Sequence, residues 1–537
     1  MRSSSSHNLS RQSHDRRSSF ASLLASALLL GIFAFVANAN EEETEATERT
    51  AIINRIDELL FDTMQVEEIE PANAAGDSEF LRRIYLDLAG SIPTVSHTRE
   101  YLTDESPDKK TQLIERLLTS PSTVNRLAET WRNAMLPPNA SPETFRNSAG
   151  MHNWLREQFS ENMRYDRIVS DLIAATGSEQ DGPALFFTAL ELEPKKIAAS
   201  TARIFLGLQI ECAECHDHPF DDWKQEDFWG YAAFFARLPK NDNMVRASNF
   251  RLSDRSSGDV TLPDTEDVVL PKYPGGQRAD ENDLGTRRQQ LSIWMASPDN
   301  PYLARAAVNR VWALLFGRGL VNPVDDLGPH NPASHPKLLD ALTDYFVDSG
   351  YDLKNLLRVL CNTEAYGRTS AIDPAKKPPV DLFAAMAVKV QTAEQLYDSL
   401  SRCLSQDRSM ASPFPGVATN GSRQQFLARM ASRSADTTEY DRGLQQALLL
   451  MNGSETAEAT NLDRSPLLTS LEAPFLTDKD RVDVLYLATL SRLPTDSERS
   501  TIKQFIADAG ESEEEQKAAR ADALWALLNS AEFTMNK

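Results

Sequence analysis

The stretch Ser106-Pro107-Asp108-Lys109-Lys110-Thr111-Gln112-Leu113-Ile114-Glu115-Arg116-Leu117-Leu118 decides the fold class. Ser106 offers a cap oxygen and Pro107 suits the first helical position. Leu113, Ile114, Leu117 and Leu118 then return at helical spacing. The same grammar recurs along the chain. Thr495-Asp496-Ser497-Glu498 is a capping box. Leu338, Leu339, Ala341, Leu342, Tyr345 and Phe346 form one wide apolar face after a Ser334 cap. A mainly α protein is expected, with two helical regions joined by a short β-hairpin or extended insert.

The insert is read from residues 243–276, where Phe250 to Gly276 carries short β-branched runs broken by Gly, Pro, Asp and Ser. It places one helical region over 76–242 and a second over 281–537, with 243–280 between them and an acidic helical lead-in over 40–75. Residues 371–381 (AIDPAKKPPVD) break the second region, and 406–440 reads as polar and loop-rich. One internal echo stands out. Ile84 to Thr94 (IYLDLAGSIPT) resembles Leu485 to Thr495 (LYLATLSRLPT), and each run is followed by a helix and then Leu-Leu-x-Ser. Convergent helix–turn–helix composition and a duplicated helical unit both account for it.

A length of 537 residues allows about three domains including a targeting segment. Apolar residues at 41% exclude a polytopic membrane protein. A net charge of −22 argues against a nucleic-acid partner, because phosphate binding needs a basic face. Four cysteines are too few for a disulfide scaffold. Residues 1–19 are Ser-rich with Arg2, Arg11, Arg16 and Arg17. Phe20 to Ala37 is apolar, and Ala37-Asn38-Ala39 is a small-x-small site. This order reads as a signal peptide over 1–39, which expects export to the periplasm or cell envelope. Left uncleaved, that segment is the one membrane contact expected.

The motif that carries chemistry is Cys212-Ala213-Glu214-Cys215-His216. Cysteines three apart match the two vinyl groups of a c-type haem, and the next His reaches the iron as its proximal ligand. Zn²⁺ or another divalent metal on the C-x-x-C pair with His216 or His218 is an alternative. Cys361 and Cys403, however, lack the paired spacing of a second half-site. A disulfide is the third option. Phe228, Trp229, Tyr231, Phe234 and Phe235 follow and suit either a porphyrin face or an ordinary core. Met244, His152, His330 and His335 are candidates for a sixth iron ligand. Asp325, Asp326, His330 and His335 make a second polar cluster that reads either as a metal site or as turn and cap chemistry. Phosphate-loop, dinucleotide, zincin and hydrolase-elbow motifs are missing. No nucleophile or general base can be assigned, so no independent catalytic activity is expected.

CAECHDHPFDDWKQEDFWGYAAFF (212–235), FLRRIYLDLAGSIPT (80–94) and NPYLARAAVNRVWALLFGRGLVNPVDDLG (300–328) resemble the planctomycete cytochrome-like family. Its halves are domains of unknown function 1549 and 1553, resembling about residues 50–240 and 280–515 here. The resemblance implies an exported, helical, cytochrome-like protein with haem c held by Cys212, Cys215 and His216. Larger relatives carry a further N-terminal cytochrome c domain. The segment before residue 76 has no cysteine, which points away from a multi-haem wire. A redox protein or an envelope protein is the partner expected. A non-redox structural role with a metal or disulfide at the same segment is the rival.

Overall fold

Helices start where the chain offers a side-chain oxygen to the free backbone N–H groups of the first turn. Thr94, Ser120, Asp352, Ser465, Thr477, Thr495, Ser512 and Ser530 all accept such a bond. At Thr495 the box is complete: Thr495 Oγ1 accepts from Glu498 N, and Glu498 accepts from Thr495 N. Two caps differ from the sequence expectation. Ser106 O accepts from Lys109 N in a turn, and the helix runs Lys109–Leu118 with Asp108 at its N-cap. Asp104 captures Ser106 N and so commits that residue to the turn. Ser334 donates through both its N–H and its hydroxyl to Leu320 O, and His335 takes the N-cap of helix Pro336–Asp348. The predicted apolar face is otherwise in place, with Leu338, Leu339, Leu342 and Phe346 buried.

The computed structural model describes residues 44–137, 144, 148–239, 250–280, 285–373, 377–404, 421–430, 438 and 443–537. The predicted signal segment, Met244 and most of 406–440 lie outside the described residues. The chain is mainly α. The described strands form two short pairs. Val260–Thr261 pairs antiparallel with Val268–Val269, inside the predicted insert. Lys389–Val390 pairs antiparallel with Met535–Asn536. No described helix is long and apolar enough to cross a membrane.

The chain divides into two units, Met1–Arg55 and Ile56–Lys537. In the first, residues 44–55 are helical. In the second, both ends of the chain enter one core. Leu86 and Ile92 pack with Leu396, Leu485, Leu490, Leu524, Leu528 and Phe533. Buried cations tie the same regions together. Arg82 donates to Thr489 O at 2.9 Å and to Phe533 O at 2.8 Å. These carbonyls end two helices, so the guanidinium caps both C-termini and meets their negative dipole ends. Arg83 donates to Tyr366 O and Arg368 O. Asp87 is equally buried. It accepts from Lys389 Nζ at 2.7 Å, Asn536 Nδ2 at 2.7 Å and the Tyr366 hydroxyl at 2.9 Å.

The echoed runs share a plan but differ in one turn, which is π-helical in the first and α-helical in the second. Helix Asp77–Ile84 continues as a π-turn, Tyr85–Ala89, and ends at Gly90 with φ 72°. Helix Asp478–Leu490 ends at Ser491 with φ 59°. Thr94 and Thr495 cap the next helices, and Ser120 and Ser530 cap the ones after Leu-Leu-x-Ser.

Candidate functional site

The Cys212 segment emerges from helix Pro194–Thr201, which widens into a π-turn over Ala202–Leu206 and stops at Gly207. Gly207 has φ 68°, and a Cβ there would meet Leu327 Cδ1 at 2.6 Å. Glycine is therefore required twice, for the left-handed turn and for the close approach. Leu327 N donates to Gly207 O at 2.7 Å. Gln209 Nε2 reaches Asp325 Oδ1 at 3.1 Å, and Arg203 pairs with both Glu211 and Asp325. The polar run from Asp325 to His330 thus holds the chain on either side of the cysteine turn, at Arg203 to Gln209 and at His218 to Asp221. Spacing alone offered no sign of this, because the two runs are more than a hundred residues apart.

Glu211–Glu214 forms one 3₁₀ turn. Ala213 is buried beneath it, while Cys212, Cys215 and His216 are exposed. Both thiols are free. His216 Nδ1 lies 2.8 Å from Asp217 O. A carbonyl only accepts, so Nδ1 carries a proton, and in the neutral ring the lone pair then sits on Nε2. The Asp217 carboxylate accepts from Gln225 N at 3.0 Å and pairs with Lys224 Nζ at 3.2 Å. The Gln225 backbone bond, followed by Lys224, holds this carboxyl below its ordinary range. Helix Gln225–Ala232 closes over the turn. Gln225 Nε2 donates to Cys215 O at 2.9 Å and Glu214 O at 3.2 Å, and Trp229 Nε1 donates to Glu214 O at 3.0 Å.

The other candidates separate. His218 lies with its ring centroid 6.1 Å from that of His330. Its Nδ1 accepts from Phe220 N at 3.3 Å. His330 stands between two carboxylates, Asp326 Oδ1 at 3.0 Å and Asp221 Oδ2 at 3.4 Å. Among the described residues, no three His, Cys, Asp or Glu side chains converge as a metal ion would require. His335 is a buried helix cap against the Phe383 ring. His152 is buried on helix Ala149–Ser160, and burial together with Arg132, Arg156 and Arg423 holds its pKa down to about 3. Neither ring faces the cysteine turn through any described contact. The aromatic run is core. Phe228, Tyr231, Phe234 and Phe235 are buried, with Phe234 against Tyr273 and the Tyr231 hydroxyl bonded to Thr201. Trp229 alone of the five turns its polar edge to the cysteine turn. Cys361 and Cys403 are buried, and burial raises both thiols, Cys403 to about 12.

Two family comparisons match the chain. The family described as PSCyt2, a protein of unknown function (DUF1549), matches residues 55–240. The family described as PSD1, a protein of unknown function (DUF1553), matches residues 287–506. The cysteine turn falls in the first match and the run that holds its flanks, Asp325 to His330, in the second. No curated protein and no solved structure matches the chain.

Proposed function

We propose that this chain, which belongs to the family joining a DUF1549 domain to a DUF1553 domain, carries one c-type haem and serves as an exported electron-transfer protein. Cys212 and Cys215 would hold the haem through thioethers, with His216 on the iron. A haem so bound supplies a one-electron couple. The observation that carries the reading is the state of His216. Its Nδ1 is engaged by the Asp217 carbonyl, which leaves Nε2 as the ring nitrogen open to a ligand, and Cys212 and Cys215 of the same turn are free and exposed. Metal-bound histidines are held in this way by a carbonyl or carboxylate behind the ring. The site's position at the surface suits exchange with a second protein, a redox or envelope partner rather than a nucleic acid. The basic, apolar and small-residue order of 1–39 supports action outside the cytoplasm, where such attachment occurs.

The test is expression of the full precursor with a c-type maturation system, followed by intact mass and the reduced visible spectrum. One added haem and cytochrome bands are expected. Cys212→Ala and Cys215→Ala should each impair attachment, while His216→Ala should alter iron coordination in the protein that still loads. A haem-free exported chain beside a correctly loaded control cytochrome would overturn the reading. Zinc content and thiol counts would then decide between a metal and a disulfide.

A further inference from the structure

We propose that Gln225 is the positioning residue that presets His216 for its ligand, an inference that rests on the haem reading above. Gln225 is bonded on both sides of the histidine. Its side-chain amide donates to Cys215 O, immediately before His216, and to Glu214 O. Its backbone N–H donates to Asp217 Oδ1, immediately after. Asp217 is the residue whose carbonyl fixes the His216 ring. The bracket therefore begins at one residue and ends on Nδ1 of the imidazole, leaving Nε2 as the nitrogen that would meet the iron.

The chemistry of the side chain fits the task. A primary amide has two N–H donors, one for each carbonyl. Glutamate has the same shape but would set carboxylate oxygens against two carbonyl oxygens. The neighbouring holds are weaker substitutes. Lys224 and Asp217 are both largely exposed, and exposed ion pairs contribute little. Trp229 reaches Glu214 O alone and so does not act across the histidine.

Two readouts test the proposal on the full chain. The first uses haem-free protein with ¹⁵N-labelled histidine, the His216 signal being identified by its loss in His216→Gln. The parent should show the Nδ1–H tautomer at His216. Gln225→Glu and Gln225→Ala should lose that preference while the urea unfolding midpoint stays at the parent value. The second is the haem-loaded fraction, expected to fall about tenfold in Gln225→Glu, the low end of the cost of removing a partner behind a metal ligand. An unchanged His216 tautomer in both variants overturns the proposal. So does a lost tautomer accompanied by a lowered midpoint, since that marks a general structural role. If no variant and no parent loads haem, the haem reading fails, and the tautomer measurement still judges the bracket by itself.

Discussion

The units Asp77–Ser120 and Asp478–Ser530 follow one plan: helix, left-handed residue, Pro-Thr, capped helix, further helix, capping serine. They differ at the equivalent positions 87 and 488. The first unit places a buried aspartate there, on a π-turn. The second places Ala488 on a regular helix. The aspartate gathers Lys389, Tyr366 and Asn536, so the first unit is fastened to three distant parts of the chain by charge and hydrogen bonds. The second carries no charged side chain of its own there: it is held by apolar packing, by Arg82 of the first unit on the Thr489 and Phe533 carbonyls, and by the half-buried triad of Arg492, Glu498 and Glu532. A shared backbone plan is thus compatible with a buried charge at position 87 and an apolar side chain at position 488, and the buried charge has more to lose from a single change.

The largest expected effect comes from making the first unit resemble the second. Asp87→Ala strands the Lys389 ammonium in the core and should cost about 3–5 kcal/mol in urea unfolding. Adding Lys389→Met should recover most of that loss. A double variant no more stable than Asp87→Ala would break the comparison. Next is the left-handed residue. Gly90→Ala forces an L side chain to φ 72°, with Arg126 Cδ 3.2 Å from the new Cβ, and should cost about 1–2 kcal/mol. Ser491→Ala should be milder, because that position already holds a Cβ at φ 59°.

Smaller again are the caps. Thr94→Ala and Thr495→Ala should each cost about 1 kcal/mol in the same assay. A cost at Thr495 well above that at Thr94 would show that the box adds more than the cap oxygen. The finest difference is in acid response. His97 stands where the second unit has Glu498, and burial followed by Arg116 lowers its pKa. Between that lowered value and about pH 6.5 the unfolded chain binds more protons, so this stabilisation is full above about pH 6.5 and is lost as pH falls from there through the lowered folded pKa. Glu498, bonded to Arg492, is held down to about 2. Its contribution is full above about pH 4.3 and is lost only as pH falls towards 2. Hydrogen exchange on acidification should therefore loosen Val95–Thr103 first and Asp496–Asp508 later. Simultaneous loosening would contradict the assignment.

Much of this was legible before any coordinates. Thr495 and Glu498 declared their box, Leu113 to Leu118 their buried face, and the echo its two helix–turn–helix units. The C-x-x-C-H turn could be marked, though not its setting. What escaped depends on distant partners. Ser106 and Ser334 carry the right oxygens for caps, but Asp104 and Leu320 engage them first. Gln225 looks like any exposed polar residue until its two carbonyls are seen. The aromatics after the motif carry no mark in sequence that separates a core from a cofactor wall.

The Arg82 bonds also set an order in time. The arginine is 407 residues before Thr489 and 451 before Phe533. At a synthesis rate of about 5–20 residues per second, roughly 20–80 s separate the cation from its acceptors. Arg82 cannot make these bonds during that interval, whatever the local helices around it do. A ribosome stalled short of Thr489 would leave the Arg82 guanidinium without the carbonyls that it caps.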